Sequence, residues 1–300
     1  MERYSVHLKL LGMAVLWGAS WPMGRMLGQS LPPLTGGAVR FVLASVLLLG
    51  WLFARSRFAT LAALSARQWL GLTVAASVGV CGYAVFFMLG LQTMPAGKAA
   101  VVVAVNPVLT LLLATWFFGE RLNAKILAGM LLAVGGAIMV VTQGQPLTVL
   151  SGGINAGEWL IFGCVVCWAA YTLIGRAVLR GIDALTVTTA TSFIGALMLS
   201  VVALWTDGMP FEAIAAMDGR GWTALAWLVI GATVLAYAWY FEGVKTLGAG
   251  SAAAYITLVP IFGVLSSAWF LGEPLHISLV AGCAAAVGGM TLMRYGQKAV

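Results

Sequence analysis

The chain has 300 residues, of which 62% are hydrophobic and 8% are charged, with a formal net charge of +7. A soluble globular domain has roughly 25% charged residues, so this composition excludes an ordinary soluble protein. The apolar residues form ten blocks, each close to the roughly 20 residues that cross a bilayer as a helix. They leave no length for a soluble catalytic or nucleotide-binding domain, so the sequence predicts an all-α polytopic membrane protein.

The predicted spans, in chain order, are 8–27, 34–54, 68–90, 97–118, 124–142, 156–177, 184–205, 221–243, 250–271 and 275–295. The connection between the third and fourth spans and the one between the ninth and tenth are very short, so these pairs must be antiparallel neighbours. The N-terminal segment has a basic start and an apolar run, but it lacks an A-x-A cleavage signal. We therefore interpret it as a retained first helix rather than a signal peptide.

The basic residues indicate the topology. Of the sixteen Lys and Arg residues, twelve fall on the side that carries both termini, and Arg25, Lys98 and Arg220 fall on the other side. The remaining one, Arg40, lies within the second span. Such a bias marks the cytoplasmic side of a membrane protein. We expect both termini in the cytoplasm, a location in the bacterial inner membrane, and no nucleic-acid partner.

Cofactor and metal signals are weak. Cys164 and Cys167 form a C-x-x-C pair, but no second pair or nearby His completes a metal site, so we interpret the cysteines as buried packing residues. No Gly-x-x-x-x-Gly-Lys-[Ser/Thr] phosphate-binding loop occurs. We therefore expect no metal, no cofactor and no ATPase subunit.

An internal repeat is the most specific signal. When the sequence is shifted by 153 residues, 90–136 aligns without gaps on 243–289, with 19 of the 47 positions identical. The matches include Pro and Gly-Glu, which similarity of apolar composition alone would not place in register. A shift of 151 residues relates Trp17 to Trp168. These matches divide the chain into two repeats, residues 1–145 and 146–300.

The repeat has a topological consequence. Each copy contains five spans, and because five is odd, the second copy must be inverted in the membrane relative to the first. In many transporters such inverted repeats surround a substrate site near the middle of the bilayer. Ten transmembrane helices arranged as two inverted five-helix repeats around a central cavity are therefore the predicted fold.

Several short motifs carry a family resemblance: the mid-span prolines of spans four and nine, the Gly-Gly pairs of spans five and ten, Gly119-Glu120, Gly272-Glu273 and the opening Trp17-Gly18-Ala19-Ser20-Trp21. On these residues the chain resembles the drug/metabolite transporter superfamily, in its ten-helix branch. It is most similar overall to bacterial exporters of aromatic amino acids. The resemblance implies a secondary transporter, not an enzyme, that exports small amphipathic metabolites by alternating access, with aromatic amino acids as the expected substrates.

Two prolines interrupt predicted helices. Pro107 and Pro260 each remove a hydrogen bond to the carbonyl four residues earlier, so each helix should kink. The kinks are either static bends or hinges whose freed carbonyls line a cavity. Their occurrence in both repeats favours hinges.

A polar stripe runs along span four. Lys98, Asn106 and Thr110 share one face, which should point into the bundle because polar groups facing lipid are costly. Asn106 either binds substrate or satisfies a neighbouring helix, and Lys98 either binds substrate or extends to the headgroups. Tyr255 of span nine belongs to the opposing stripe.

Aromatic residues near the middle of the spans could line the cavity, although core packing is the alternative for each one alone. Trp17 and Trp168 lie at equivalent repeat positions, whereas Trp51 lies at a span end, where an interfacial belt explains it. The candidate substrate-binding residues are Trp17, Trp21, Tyr83, Phe87, Lys98, Asn106, Trp168, Tyr171, Tyr237 and Tyr255.

Other residues have predicted structural roles. Small residues at intervals of four, among them Gly129 and Gly282, should let spans five and ten pack closely as a scaffold. Glu120 and Glu273 should stabilise the positive ends of the helices that follow them.

The titratable residues indicate the energy source for transport and bear on the alternative classes of function. Ion coupling usually places carboxylates or His inside the bundle, but Glu158 and Glu242 lie near span ends. We therefore expect facilitated diffusion, with a proton-coupled drug/metabolite antiporter as the alternative. An intramembrane enzyme is the alternative of another class, but the aspartates lie in loops. A monomer that binds a small-molecule substrate within the lipid bilayer is expected.

Overall fold

The computed structural model describes residues 2–55, 58–120, 122–145, 155–178, 181–247 and 249–297. Within these ranges all regular structure is helical, which confirms the predicted all-α class. We number the ten long helical segments of the described chain α1 to α10. Short helices at Phe58–Ala62 and Phe211–Ala215 lie in connections. The bounds are α1, Glu2–Ser30; α2, Pro33–Ala54; α3, Ala66–Ala76, Ser77–Gly82 and Tyr83–Thr93; α4, Ala96–Val103 and Asn106–Phe118; α5, Ala124–Val141; α6, Ala156–Val178; α7, Ala184–Thr206; α8, Gly219–Ala226, Trp227–Leu235 and Ala236–Leu247; α9, Ala249–Ile256 and Val259–Leu271; and α10, Ile277–Gln297.

Nine of the described helices, α2 to α10, are both long and apolar enough to cross a bilayer. The remaining one, α1, has 29 residues, which is also sufficient length, but it contains Pro22, Arg25 and two tryptophans. It packs against α3, α4, α8 and α9 near the middle of the bundle. Its polar groups therefore meet protein rather than lipid, which makes them tolerable at membrane depth.

The two repeats carry matching irregularities. The break in α4 between Val103 and Asn106 and the break in α9 between Ile256 and Val259 are 153 residues apart, as in the sequence repeat. Pro107 and Pro260 are the second residues of the segments that follow the breaks, so each helix is interrupted where a kink was predicted. α3 and α8 each contain a π-helical segment. The predicted boundary between the repeats adjoins 146–154, which lie outside the described residues.

Close helix packing holds the periphery together. α5 packs along α10, and α2 packs along α7, so that each pair joins equivalent helices of the two repeats. A Cβ added at Gly136 would lie 2.5 Å from the carbonyl oxygen of Gly282, and one added at Gly289 would lie 2.5 Å from the backbone nitrogen of Ala133. As predicted, small residues let α5 and α10 approach to backbone contact.

Contacts between helix ends define two faces of the bundle. Lys9 of α1 pairs with Glu242 near the end of α8 (2.7 Å), and Asn123 before α5 donates a hydrogen bond to the carbonyl of Gly296 at the end of α10 (2.9 Å). Since the ten segments alternate in direction, both ends of the described chain lie on this side, which we call the terminal face. The other side, where α1, α3, α5, α7 and α9 end, is the opposite face.

Candidate functional site

A cavity of about 560 Å³ lies in the middle of the bundle and extends to the terminal face. Its inner part is lined by residues of α1, α2, α3, α4, α6, α7, α8 and α9. Its mouth is lined by Glu120, Arg294 and Gln297, at the terminal-face ends of α4 and α10. Its size is within the range of about 300–1,000 Å³ that is typical of small-molecule sites.

Most of the predicted substrate-binding residues line this cavity. These are Trp17, Trp21, Tyr83, Phe87, Asn106, Trp168, Tyr171 and Tyr237. They come from α1, α3, α4, α6 and α8, so residues far apart in the sequence meet at one place.

Trp17 anchors the aromatic wall on the α8 side. Its indole N–H donates a hydrogen bond to the carbonyl oxygen of Ala232 (2.8 Å), within the π-helical segment of α8. Its ring meets that of Tyr237 edge-on, with 5.4 Å between the centroids. Because the indole donor is already satisfied, the remaining free surface of Trp17 is its apolar ring.

A second group of aromatic lining residues lies on α1, α3 and α6. The ring of Phe87 tilts against Trp21 at 5.0 Å and stacks on Tyr83 at 6.1 Å. Tyr83 in turn meets Trp168 edge-on at 6.1 Å, and Trp168 contacts Tyr171 at 6.0 Å. Such offset and edge-to-face pairs contribute about 0.5–1.5 kcal/mol beyond the burial of their area. These rings form a continuous aromatic part of the cavity wall.

Two predicted site residues lie outside the cavity. The Nζ of Lys98 donates to the carboxylate of Glu158 at 2.6 Å, and the two side chains are only 15% and 8% exposed. This ion pair ties α4 to α6 near the opposite face. The hydroxyl of Tyr255 lies 2.6 Å from Nδ1 of His7, which joins α9 to α1. The structure thus gives both residues partners within the protein and separates them from the other eight.

The helix breaks contribute backbone to the cavity wall. Val103, Pro107, Ile256 and Pro260 all line it. Neither proline has an N–H for the carbonyl four residues earlier, so the carbonyls of Val103 and Ile256 lack their helical donors. The buried Oδ1 of Asn106 has no hydrogen-bond partner among the described residues. Irregular backbone at membrane depth is tolerated where it lines a cavity, as it does here.

Arg40 of α2 also lines the cavity, a role that the sequence analysis did not give it. Its guanidinium carbon lies 4.9 Å from the centre of the Phe41 ring and 5.9 Å from that of Phe87. Its Nε is buried without a hydrogen-bond partner in the described part of the chain, and no described carboxylate pairs with it. The signal in the sequence was an arginine inside an apolar span. A charged side chain there costs free energy to bury, so such a residue is taken as a candidate functional residue.

At the opposite face, a cluster around Glu273, which follows α9, joins α1 and α4 to the end of α9. The carboxylate accepts hydrogen bonds from the backbone N–H groups of Ala96 (2.8 Å) and Gly97 (2.9 Å), in the first turn of α4. It also pairs with Nη1 of Arg25 at 3.2 Å, and Arg25 donates to the carbonyl of Met94. We call Glu273, Arg25, Ala96 and Gly97 the opposite-face latch.

The latch corrects the predicted role of Glu273. Glu273 lies at the positive end of α4, a helix distant in sequence, and not at the start of α10, which follows it. Glu120 lines the cavity mouth, while the start of α5 is capped by Asn123, whose side chain accepts from the N–H of Ile126 (2.9 Å). The prediction that Glu273 stabilises the start of the helix that follows it is therefore wrong, whereas the corresponding role of Glu120 stays a prediction.

The family comparison covers nearly the whole chain. A model of the EamA-like transporter family, part of the drug/metabolite transporter superfamily, matches residues 5–142 and 155–295. An uncharacterized transporter of Bacillus subtilis (strain 168), YyaM, is 28% identical over 97% of this chain and 93% of its own length. A probable terminal-alkyne amino-acid exporter of Streptantibioticus cattleyicolor is 26% identical over 73% of this chain and 71% of its own.

A solved crystal structure has the same fold. It superimposes with a TM-score of 0.64 at 22% identity and covers 97% of both chains.

Proposed function

Because the chain belongs to the EamA-like transporter family and is a membrane transporter, we propose that it exports small amphipathic metabolites, above all aromatic amino acids. Transport proceeds by alternating access and follows the gradient of the substrate itself. One relative is named as a probable exporter of an amino acid, which supports this class of cargo. Flat rings fit a cavity wall made of Trp17, Tyr83, Trp168 and Tyr237.

The single observation that carries the proposal is a ring-lined cavity that reaches one face, while the latch joins helix ends at the other. The cavity ends at the terminal-face residues Glu120 and Gln297, whereas Glu273 joins the start of α4 to the end of α9 on the opposite side. Two inverted repeats can exchange conformations, which would open the opposite face and close the terminal face. With the termini in the cytoplasm, as the basic residues indicate, this state takes up substrate from the cell interior.

No carboxylate lies beside the aromatic rings in the described part of the chain, which favours facilitated diffusion over proton antiport. In the described residues Glu158 is paired with Lys98 and Glu242 with Lys9, both near helix ends. Glu120 lies at the mouth rather than beside the aromatic rings. The described helices of one chain surround the cavity, so a monomer suffices for the cycle.

Counterflow of labelled tryptophan in proteoliposomes tests the proposal, since a carrier accelerates exchange when unlabelled substrate is present on the other side. Trp17→Ala and Trp168→Ala should each lower the apparent affinity for aromatic amino acids several-fold. Each variant loses contacts between its indole ring and the ring of the substrate, worth about 0.5–1.5 kcal/mol per ring pair. Trp51→Ala, near the end of α2, is the control and should leave affinity unchanged. Wild-type affinity in both cavity variants, measured on folded protein, would refute the aromatic site.

A further inference from the structure

We propose that Arg40 binds the carboxylate of the transported solute, so that the cavity selects aromatic carboxylates over the corresponding amines. The inference rests on the proposed function and narrows its substrate class. It assigns a cargo-binding role to a residue outside the predicted aromatic and polar stripes.

Arg40 lies at the inner end of the cavity. It is seven residues from the start of α2 at the opposite face, or about 10 Å at 1.5 Å per residue. Trp21 and Phe87, which line the cavity beside it, lie at similar distances from the opposite-face ends of α1 and α3. A solute that enters from the terminal face therefore reaches Arg40 after passing the rings of Trp17 and Tyr237.

The guanidinium has a charge but no counter-ion in the described protein. Burying an uncompensated charge is costly, and inside a membrane such a residue marks a functional site. The rings of Phe41 and Phe87 offer their faces to the cation, which offsets part of this cost, but they accept no conventional hydrogen bond. The buried Nε in particular has no acceptor among the described residues.

A carboxylate supplies what this environment lacks. Guanidinium presents parallel N–H donors whose spacing matches the two oxygens of a carboxylate, which gives a short, charge-assisted pair. Among the described lining residues, the other charged side chains are Glu120 and Arg294, and both lie at the mouth. An amine without a carboxylate would meet the like charge of Arg40 with no anion nearby, which is the basis of the selectivity.

Three ligands with the same indole ring test the inference: indole-3-propionate, tryptophan and tryptamine. Binding of each is measured by competition on the purified full chain. Arg40→Gln should weaken binding of the two carboxylates at least tenfold, as expected for the loss of a charge-assisted pair, and should strengthen binding of tryptamine, which no longer meets a like charge. Arg55→Gln, the same substitution at the exposed end of the same helix, should change none of them.

A second readout separates binding from a structural role. If Arg40 serves the ligand, Arg40→Gln removes an uncompensated buried charge, so its unfolding midpoint without ligand should be at least that of the wild type. Lower stability, together with an equal loss of affinity for all three ligands, would overturn the inference. Arg40→Lys keeps the charge without the two-pronged geometry and should lower carboxylate affinity several-fold; it decides the question if the Gln variant does not fold.

The outcomes also separate this inference from the proposed function. A wild-type chain that exchanges tryptophan, with an unchanged ratio of tryptophan to tryptamine affinity in the Arg40 variants, would refute the role of Arg40 alone. A wild-type chain that neither binds nor exchanges any of the three ligands would refute the proposed substrate class, and the role of Arg40 with it.

Discussion

Replacing Glu273 by Gln should open the opposite face of the bundle. The amide keeps the size of the carboxylate and one oxygen acceptor, but it loses the charge that pairs with Arg25 and one of the two acceptors for Ala96 and Gly97. Because these contacts join the start of α4 to the end of α9, they can persist only while that face is closed. Their loss therefore acts on the closed state alone, which is the condition for a population shift.

The size of the shift follows from these contacts. Hydrogen bonds to charged groups contribute about 1.5–3 kcal/mol each, and Gln retains one backbone contact. The ion pair is discounted because the Arg25 side chain is 27% exposed. A total of about 3 kcal/mol corresponds to about a hundredfold change in the ratio of closed to open protein. A population that is 99% closed would become about half open.

Pulsed electron–electron resonance between spin labels measures this shift. Labels at Gln92, near the end of α3, and at Leu275, after α9, lie on elements that must separate when the latch opens. In a background without native cysteines, the Gln variant should show a new, longer distance that the parent lacks. Glu212→Gln removes an exposed carboxylate in a connection on the same face and should change nothing.

An unchanged distance distribution in the folded Glu273→Gln variant would refute the latch. The repeat provides a further check. Glu120 corresponds to Glu273 in the first repeat, so Glu120→Gln should shift the population in the reverse direction, toward a closed opposite face. The same direction of shift for both variants would contradict the use of inverted symmetry in the cycle.

Pro107→Ala and Pro260→Ala should each slow counterflow while leaving substrate affinity and the unfolding midpoint near wild type. The reason is that each substitution restores a helical N–H donor across a break that bends during the transport cycle. Wild-type rates in both variants would indicate that the breaks are static bends. Gly136→Ala should lower the free energy of unfolding by about 1–3 kcal/mol, because its Cβ would lie 2.5 Å from a backbone oxygen of α10. Gly135→Ala is the control and should not lower it, because no heavy atom lies within 4 Å of an added Cβ. Equal midpoints of the two variants in thermal unfolding would contradict this packing. Transport should continue without an imposed proton gradient. An absolute requirement for a proton gradient in the wild type, with that requirement abolished by Glu242→Gln, would identify proton antiport.

Local properties of the sequence determined the class of fold. Apolar runs of spanning length predicted the helices, and the repeat predicted their inverted arrangement. The kinks at Pro107 and Pro260 were predictable because a missing N–H and a ring clash act within one turn of the chain. The aromatic candidates were predictable because Trp17 and Trp168 occupy equivalent positions at mid-span.

Only the tertiary structure decided which of these residues meet. Helical periodicity fixes which residues share a face, but not which helix that face will contact. Lys98 lies on the same predicted stripe as Asn106, yet it pairs with Glu158, 60 residues away. Glu273 stabilises the start of a helix 177 residues earlier rather than the helix that follows it. Arg40 could be recognised as an unusual charge in an apolar span, but that it lines the cavity among aromatic rings depends on how α2 packs against α3, a contact that no local rule specifies.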